Sequence, residues 1–388
     1  MHSCYRLLSC KRRTLLGALA VCLAMVGQAQ TPQEKEVQEE IQRTLERIPH
    51  PVSVSDFPSV PHFACLNQGK TLVCWSFATG SFLESEMARL GLPSVHLSVM
   101  YPTYCQWLEK ARRFVKTKGD SRFNPGDLFT GVPEACQEYG EMPASVYDKE
   151  SAQALPDQTR LYAELETLMK KVKRSGDWNE ERVLGQVKAI LNRWLGEPPK
   201  SFSFEGKTYT PRSFADEVIR LPWADYVLLT SFESAPFNAF TEFKVPDNWH
   251  HNTNYFNLPL VQFYNAFKEA VSNGFSVAVS IDTSEPSYRQ TGRYCVVLDS
   301  DIPEEAIGQT EREIRFLTGA TTDDHAIHII GYKNFNGEDW FLAKDSWKTT
   351  WKDNNHGDLF LHRSYVKLKI LAFIVHRDGV SGIVAPRS

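Results

Sequence analysis

"NQGKTLVCWSF", residues 67–77, sets a glutamine six residues ahead of a cysteine, with a tryptophan directly behind that cysteine. From Cys74 onward Trp75, Ala78, Phe82, Leu83, Met87 and Leu90 recur near a 3.6-residue period. The cysteine therefore opens a helix, which Gly91 and Pro93 end. A thiol at a helix start is either a small buried hydrophobe or a nucleophile. The nucleophile needs a base within hydrogen-bond reach and a third group to orient that base.

The strand-like run "HAIHIIGY" begins with His325, and "WFLAKDSW" follows after a turn containing Asn336-Gly337. A hairpin folded there is centred near residue 335, which puts His325 and Asp345 nearly opposite each other at one end. A carboxylate in that place fixes the tautomer of the imidazole and stabilises its charged form. His328, three residues on, falls on the opposite strand face and reads as an interior or surface histidine. The two histidines diverge, so neither a metal site nor any other cofactor is expected.

Outward from these segments the chain changes character near residue 223. Before it, helical periods run over roughly 33–47, 74–90 and 98–117. Two more form a helical pair, one lined by Leu161, Leu165, Leu168 and Val172, the other by Val183, Val187, Ile190, Leu191 and Trp194. After it come short β-branched runs: "DYVLLTSF", "SVAVSID", "YCVVLD" and "KILAFIVHR", besides the hairpin. The expected fold class is α+β with two lobes: a helical lobe over about 60–150, a helical insertion over about 151–222, and a largely antiparallel β lobe over about 223–388.

Residues 1–29 read as a cleaved signal peptide. Lys11, Arg12 and Arg13 precede the apolar "LLGALAVCLAMV" (15–26), and "GQA" (27–29) supplies small residues for cleavage. Twelve apolar residues are too short for a comfortable membrane span, so secretion into the periplasm or beyond is expected, with no stable membrane insertion. Loss of Arg6, Lys11, Arg12 and Arg13 takes the formal charge from −4 to −8 over 30–388. So acidic a chain, without a basic stripe, is a poor nucleic-acid binder. Five cysteines remain: Cys65, Cys74, Cys105, Cys136 and Cys295. Their odd number implies at least one free thiol, and no CxxC is present.

With these residues in view, "NQGKTLVCWSF", "DDHAIHIIGY" and "AKDSW", in that order, resemble the three signature segments of papain-like cysteine peptidases. "LSVMYPTYCQWLEKARRFVKTKGD" (97–120), "GKTYTPRSFADE" (206–217) and "DNWHHNTNYFNLPL" (247–260) are similar to the bleomycin hydrolase/aminopeptidase C branch. Ordinary papain-like enzymes separate cysteine and histidine by about 130 residues. Here the separation is 251. The excess, roughly 120 residues, is about the extent of the helical region before residue 223, and in that branch such an insertion holds an oligomer together.

The resemblance implies a papain-like two-lobed fold and a thiol peptidase, of aminopeptidase type, acting on peptide substrates. Cys74 would be the nucleophile, favoured as thiolate by the helix dipole and by a protonated His325. His325 would carry the proton and Asp345 would orient it. Gln68, with the backbone N–H of Cys74, would form the oxyanion hole. Trp347 would shield the histidine's partner from water. Two positions depart from the family pattern: Asp345 stands where asparagine is usual, and the bulky Leu72-Val73 replaces a small polar loop. The rival reading is a catalytically impaired papain-fold protein that binds peptides or serves as an assembly scaffold. Acyl transfer to an amine by the same residues is a third.

Overall fold

The computed structural model describes residues 31–148, 157–347, 350 and 356–383. The leader expected at 1–29 and the last five residues of the tail lie outside them. Helix α1 (Pro32–Arg47) starts at a capping box in which Thr31 and Glu34 satisfy each other's backbone donors. It lays Ile41 and Leu45 against Val296, Trp340 and Phe360 of the β lobe, so the chain begins on the lobe that it later completes.

The helical lobe follows. Helix α2 (Cys74–Arg89) is covered nearly all round, and eleven of its sixteen residues are buried. A helix so covered lies inside a core instead of along its edge. Around it pack α3 (Met100–Lys116), α4 (Gly131–Tyr139) and the short α5 (Ala144–Tyr147).

Helices α6 (Gln158–Ser175) and α7 (Glu180–Leu195) form the expected pair, each started by a side-chain cap, Asp157 and Asn179. Their inner faces are Leu161, Leu165, Met169 and Val172 against Val183, Val187, Ile190, Leu191 and Leu195. Met169 takes the buried place expected of Leu168, because positions four apart share a helix face more closely than positions three apart there. Both stripes join the same core as α2 and α3. They are therefore covered within the chain and do not by themselves call for a second copy. The rest of the insertion is not helical throughout: β1 (Phe202–Phe204) and β2 (Lys207–Tyr209) make a small hairpin before α8 (Pro211–Phe214).

The remaining strands form one nine-stranded sheet. They are β3 (Tyr226–Thr230), β4 (Ala239–Thr241), β5 (Tyr255–Asn257), β6 (Val277–Ile281), β7 (Tyr294–Cys295), β8 (His325–Phe335), β9 (Glu338–Lys344), β10 (Asp358–His362) and β11 (Ile370–His376). Their order is β4-β5-β3-β11-β6-β8-β9-β10-β7. Most pairings are antiparallel, as expected, but β3–β5 and β7–β10 are parallel.

The C-terminal half also carries helices that the reading by β-branched runs left out: α9 (Leu260–Ser272), α10 (Pro286–Thr291), α11 (Gln309–Thr318) and α12 (Arg363–Lys369). Leu260, Phe263, Tyr264, Phe267, Ala270 and Val271 form the buried stripe of α9. That stripe covers the face of the sheet turned away from α2, in a core with Ile327, Ile329, Phe341 and Phe373. A sheet covered on both faces explains why β6 and β11 are buried at every position rather than alternating.

Candidate active site

The approach to α2 is built by its own loop. Leu72 takes a left-handed φ of 61°, a conformation that costs a non-glycine residue roughly 1–2 kcal/mol. That turn sends Val73 fully into the core and leaves Cys74 half-buried at the first helical position. Val73 therefore packs inward and does not narrow the cleft, while Leu72 stays partly exposed. No side chain caps α2; the Ser76 N–H donates to the Val73 carbonyl at 2.9 Å, which leaves the N–H groups of Cys74 and Trp75 to face an anion.

Opposite, β8 and β9 meet through the Asn336-Gly337 turn, both residues having positive φ. The pairing slips by one residue between Ile329 and Gly331, and His328 faces Lys344. Asp345, one past the strand, is thus diagonal to His325 instead of directly across from it, on the same strand face. The contact is made nonetheless: His325 Nε2 lies 2.7 Å from Asp345 Oδ1, and both side chains are almost wholly buried. The Cys74 sulfur lies near enough to the same imidazole to favour its charged form. Burial alone would push this imidazole down, but the charge of Asp345 and the sulfur of Cys74 outweigh it and hold His325 well above its ordinary range.

Asp345 is gripped at every lone pair that matters. Oδ1 also accepts the backbone N–H of Trp347 at 2.9 Å, and Oδ2 accepts the hydroxyl of Tyr288 at 2.8 Å. Trp347 stands edge-on to His325, with ring centroids 6.1 Å apart and planes at 69°. It serves Asp345 through its backbone as well as walling the site with its ring. Tyr288 was not expected. It lies on α10, 57 residues from Asp345, and no spacing or motif in the sequence points to it.

Gln68 is buried, and its place is set by the residue after Asp345. The Gln68 backbone N–H donates to the Ser346 carbonyl at 2.9 Å, and Ser346 Oγ donates to Gln68 Oε1 at 2.6 Å. With the amide oxygen engaged, the amide NH2 is the group left to face a reacting carbonyl. His328 does point the other way, towards α2, where its Nδ1 is 2.9 Å from Ser81 Oγ. All five described cysteines are free thiols. Burial pushes the Cys65 thiol up to about 12 and those of Cys105, Cys136 and Cys295 well above the ordinary range. Among the described residues, the donor group close enough to hold a metal ion is Glu304, Glu338 and His362, and Arg363 already pairs with both carboxylates.

A half-buried thiol at an uncapped helix start, a charged imidazole and an amide donor together suit nucleophilic attack on an acyl carbon. The comparisons point the same way. Residues 261–367 match the model of the papain family cysteine proteases, a span holding His325 and Asp345 but not Cys74. Aminopeptidase C of Listeria innocua is 24% identical over 366 residues, covering 79% of this chain and 81% of its own length. Aminopeptidase C of Listeria monocytogenes is also 24% identical, covering 81% and 80%. Among solved structures, PepW from Lactobacillus rhamnosis shares the fold, with a TM-score of 0.67 at 16% identity over 91% of this chain and 90% of that one.

Proposed function

We propose that this protein, similar to aminopeptidase C along most of its length, is a papain-like cysteine peptidase that releases residues from the amino terminus of peptides through a Cys74–His325 ion pair. The observation that carries the proposal is the buried imidazole of His325 bonded to Asp345 at 2.7 Å, where that carboxylate and the Cys74 sulfur favour its charged form against burial. In the mechanism, the Cys74 thiolate adds to the peptide carbonyl carbon. The developing oxyanion takes hydrogen bonds from the Gln68 amide and the Cys74 backbone N–H. The His325 imidazolium then gives its proton to the departing amine, leaving an acyl-thioester on Cys74. Neutral His325 takes a proton from water as that water attacks the thioester, and the thiolate and imidazolium are restored.

The amino-terminal preference has support from the similarity to aminopeptidase C and from one local feature. Asp323, two residues before His325, has a buried carboxylate oxygen with no hydrogen-bond partner among the described residues. Its charge is opposed by burial and by the nearby Asp247 and Asp324, so a substrate ammonium would relieve it. Matched fluorogenic peptides, one with a free and one with an acetylated amino terminus, test the reading. The free amine is expected to be cleaved at least tenfold better in kcat/KM. Equal rates would remove the amino-terminal preference. No cleavage of either, together with no labelling of Cys74 by a peptidyl electrophile, would favour the peptide-binding scaffold.

The protein is also proposed to be exported. The leader composition supports cleavage after Ala29. N-terminal sequencing of the native protein should begin at or within a residue of Gln30. An intact Met1 or a lipidated Cys22 would refute it.

A further inference from the structure

Asp345 is fully buried, so each of its oxygens needs a donor. Oδ1 has two, the imidazole and the Trp347 N–H, whereas Oδ2 accepts from the Tyr288 hydroxyl at 2.8 Å. Tyr288 is itself buried, on a six-residue helix pinned by the bond from Ser287 Oγ to the Val296 carbonyl at 2.7 Å. We propose that Tyr288 is a positioning residue for the reaction, fixing the plane of the Asp345 carboxylate and setting how strongly that carboxylate holds the proton of His325. The inference rests on the peptidase reading of the same site.

The physical argument runs through the shared negative charge. A hydroxyl donating to Oδ2 draws charge away from Oδ1 and weakens its hold on the imidazolium. Burial, reinforced by the charge of Asp345, keeps the Tyr288 phenol protonated, so it acts as a donor throughout the working range. The pair also accounts for aspartate at position 345. An asparagine amide there, with its oxygen kept on His325, would turn its NH2 towards a hydroxyl that now points its own proton at it. One of the two donors would then have to find another acceptor.

Other titratable groups surround the cluster. Cys74 faces His325 from α2, and Asp323 and Asp324 approach it from the start of β8. Cys65 from the entry segment and Cys295 from β7 face Asp345, and burial holds both as neutral thiols. These groups are unchanged when Tyr288 is altered, so a shift on its removal is carried by the hydrogen bond.

The test compares wild type, Tyr288→Phe, Asp345→Asn and the double variant in the full protein. Two profiles are followed: kcat/KM against pH with a free-amine peptide, and the rate of Cys74 alkylation by iodoacetamide against pH. Losing one hydrogen bond to a charged group moves a pKa by about half a unit or more. Tyr288→Phe should therefore move the alkaline limb upward by about that amount, with kcat reduced a few-fold. Asp345→Asn should move it downward, and in the double variant the upward shift should vanish. An unmoved or lowered limb in Tyr288→Phe, with Asp345→Asn behaving as stated, overturns the proposal. The alkylation arm needs no turnover, so an inactive wild type sinks the peptidase reading while the effect of Tyr288 on the ion pair is still measured.

Discussion

Cys74→Ala is expected to abolish peptide cleavage, lowering kcat/KM on the order of 10⁴-fold or more, with no change in fold. The loss is large because no other group in the site can form the covalent intermediate. Gln68, His325 and Asp345 would still bind and polarise the substrate, but a hydroxide from bulk solvent would have to attack it. The fold should survive, since alanine is favourable at the start of α2 and Cys74 is only half-buried. The same contrast predicts selectivity. A limited amount of iodoacetamide should mark Cys74 alone, because Cys105, Cys136 and Cys295 are buried and the Cys65 thiol is pushed up to about 12. Peptide mapping and kinetics on the variant check both statements. Retained activity within tenfold of wild type, or label on Cys65 in preference to Cys74, would place the nucleophile elsewhere.

Gln68→Ala should lower kcat by about 10²–10³-fold and leave KM little changed. The amide donor matters where negative charge develops on the carbonyl oxygen, so its loss falls on the transition state and not on substrate binding. Alanine also strands the Ser346 hydroxyl, which donates to Gln68 Oε1 at 2.6 Å. That defect costs about 1–3 kcal/mol of stability and could distort the Asp345 segment. Gln68→Glu separates the two effects. A carboxylate still accepts from Ser346 but offers an oxygen in place of the amide donor, so it repels the oxyanion. Glutamate should therefore be at least as damaging to kcat as alanine while keeping thermal stability nearer to wild type. A variant series in which KM rises and kcat holds would take Gln68 out of the oxyanion hole.

Much of the site is legible in the sequence because its groups sit on local structure. The period behind Cys74 marks α2 as a helix with the thiol at its start. Asn336-Gly337 marks the turn that returns Asp345 towards His325, and the slip between Ile329 and Gly331, which the sequence does not mark, shortens their offset to a same-face diagonal within side-chain reach. The period of α9 was equally readable in Leu260, Phe263, Tyr264 and Phe267. Its overlap with a region rich in β-branched runs concealed it.

What the sequence by itself determined, then, is which short elements present the candidate residues: Cys74 on a helix, His325 and Asp345 on a hairpin, Gln68 on the preceding loop. The tertiary structure decided how these groups are held. Ser346 clamps Gln68 across 278 positions, Tyr288 reaches Asp345 across 57, and the inward turn of Val73 depends on a left-handed Leu72. Helix and strand periods arise from neighbours a few positions apart, so they leave a pattern along the chain. A single hydrogen bond between distant segments leaves none, because its partners are chosen by where the packed core happens to bring two backbones together.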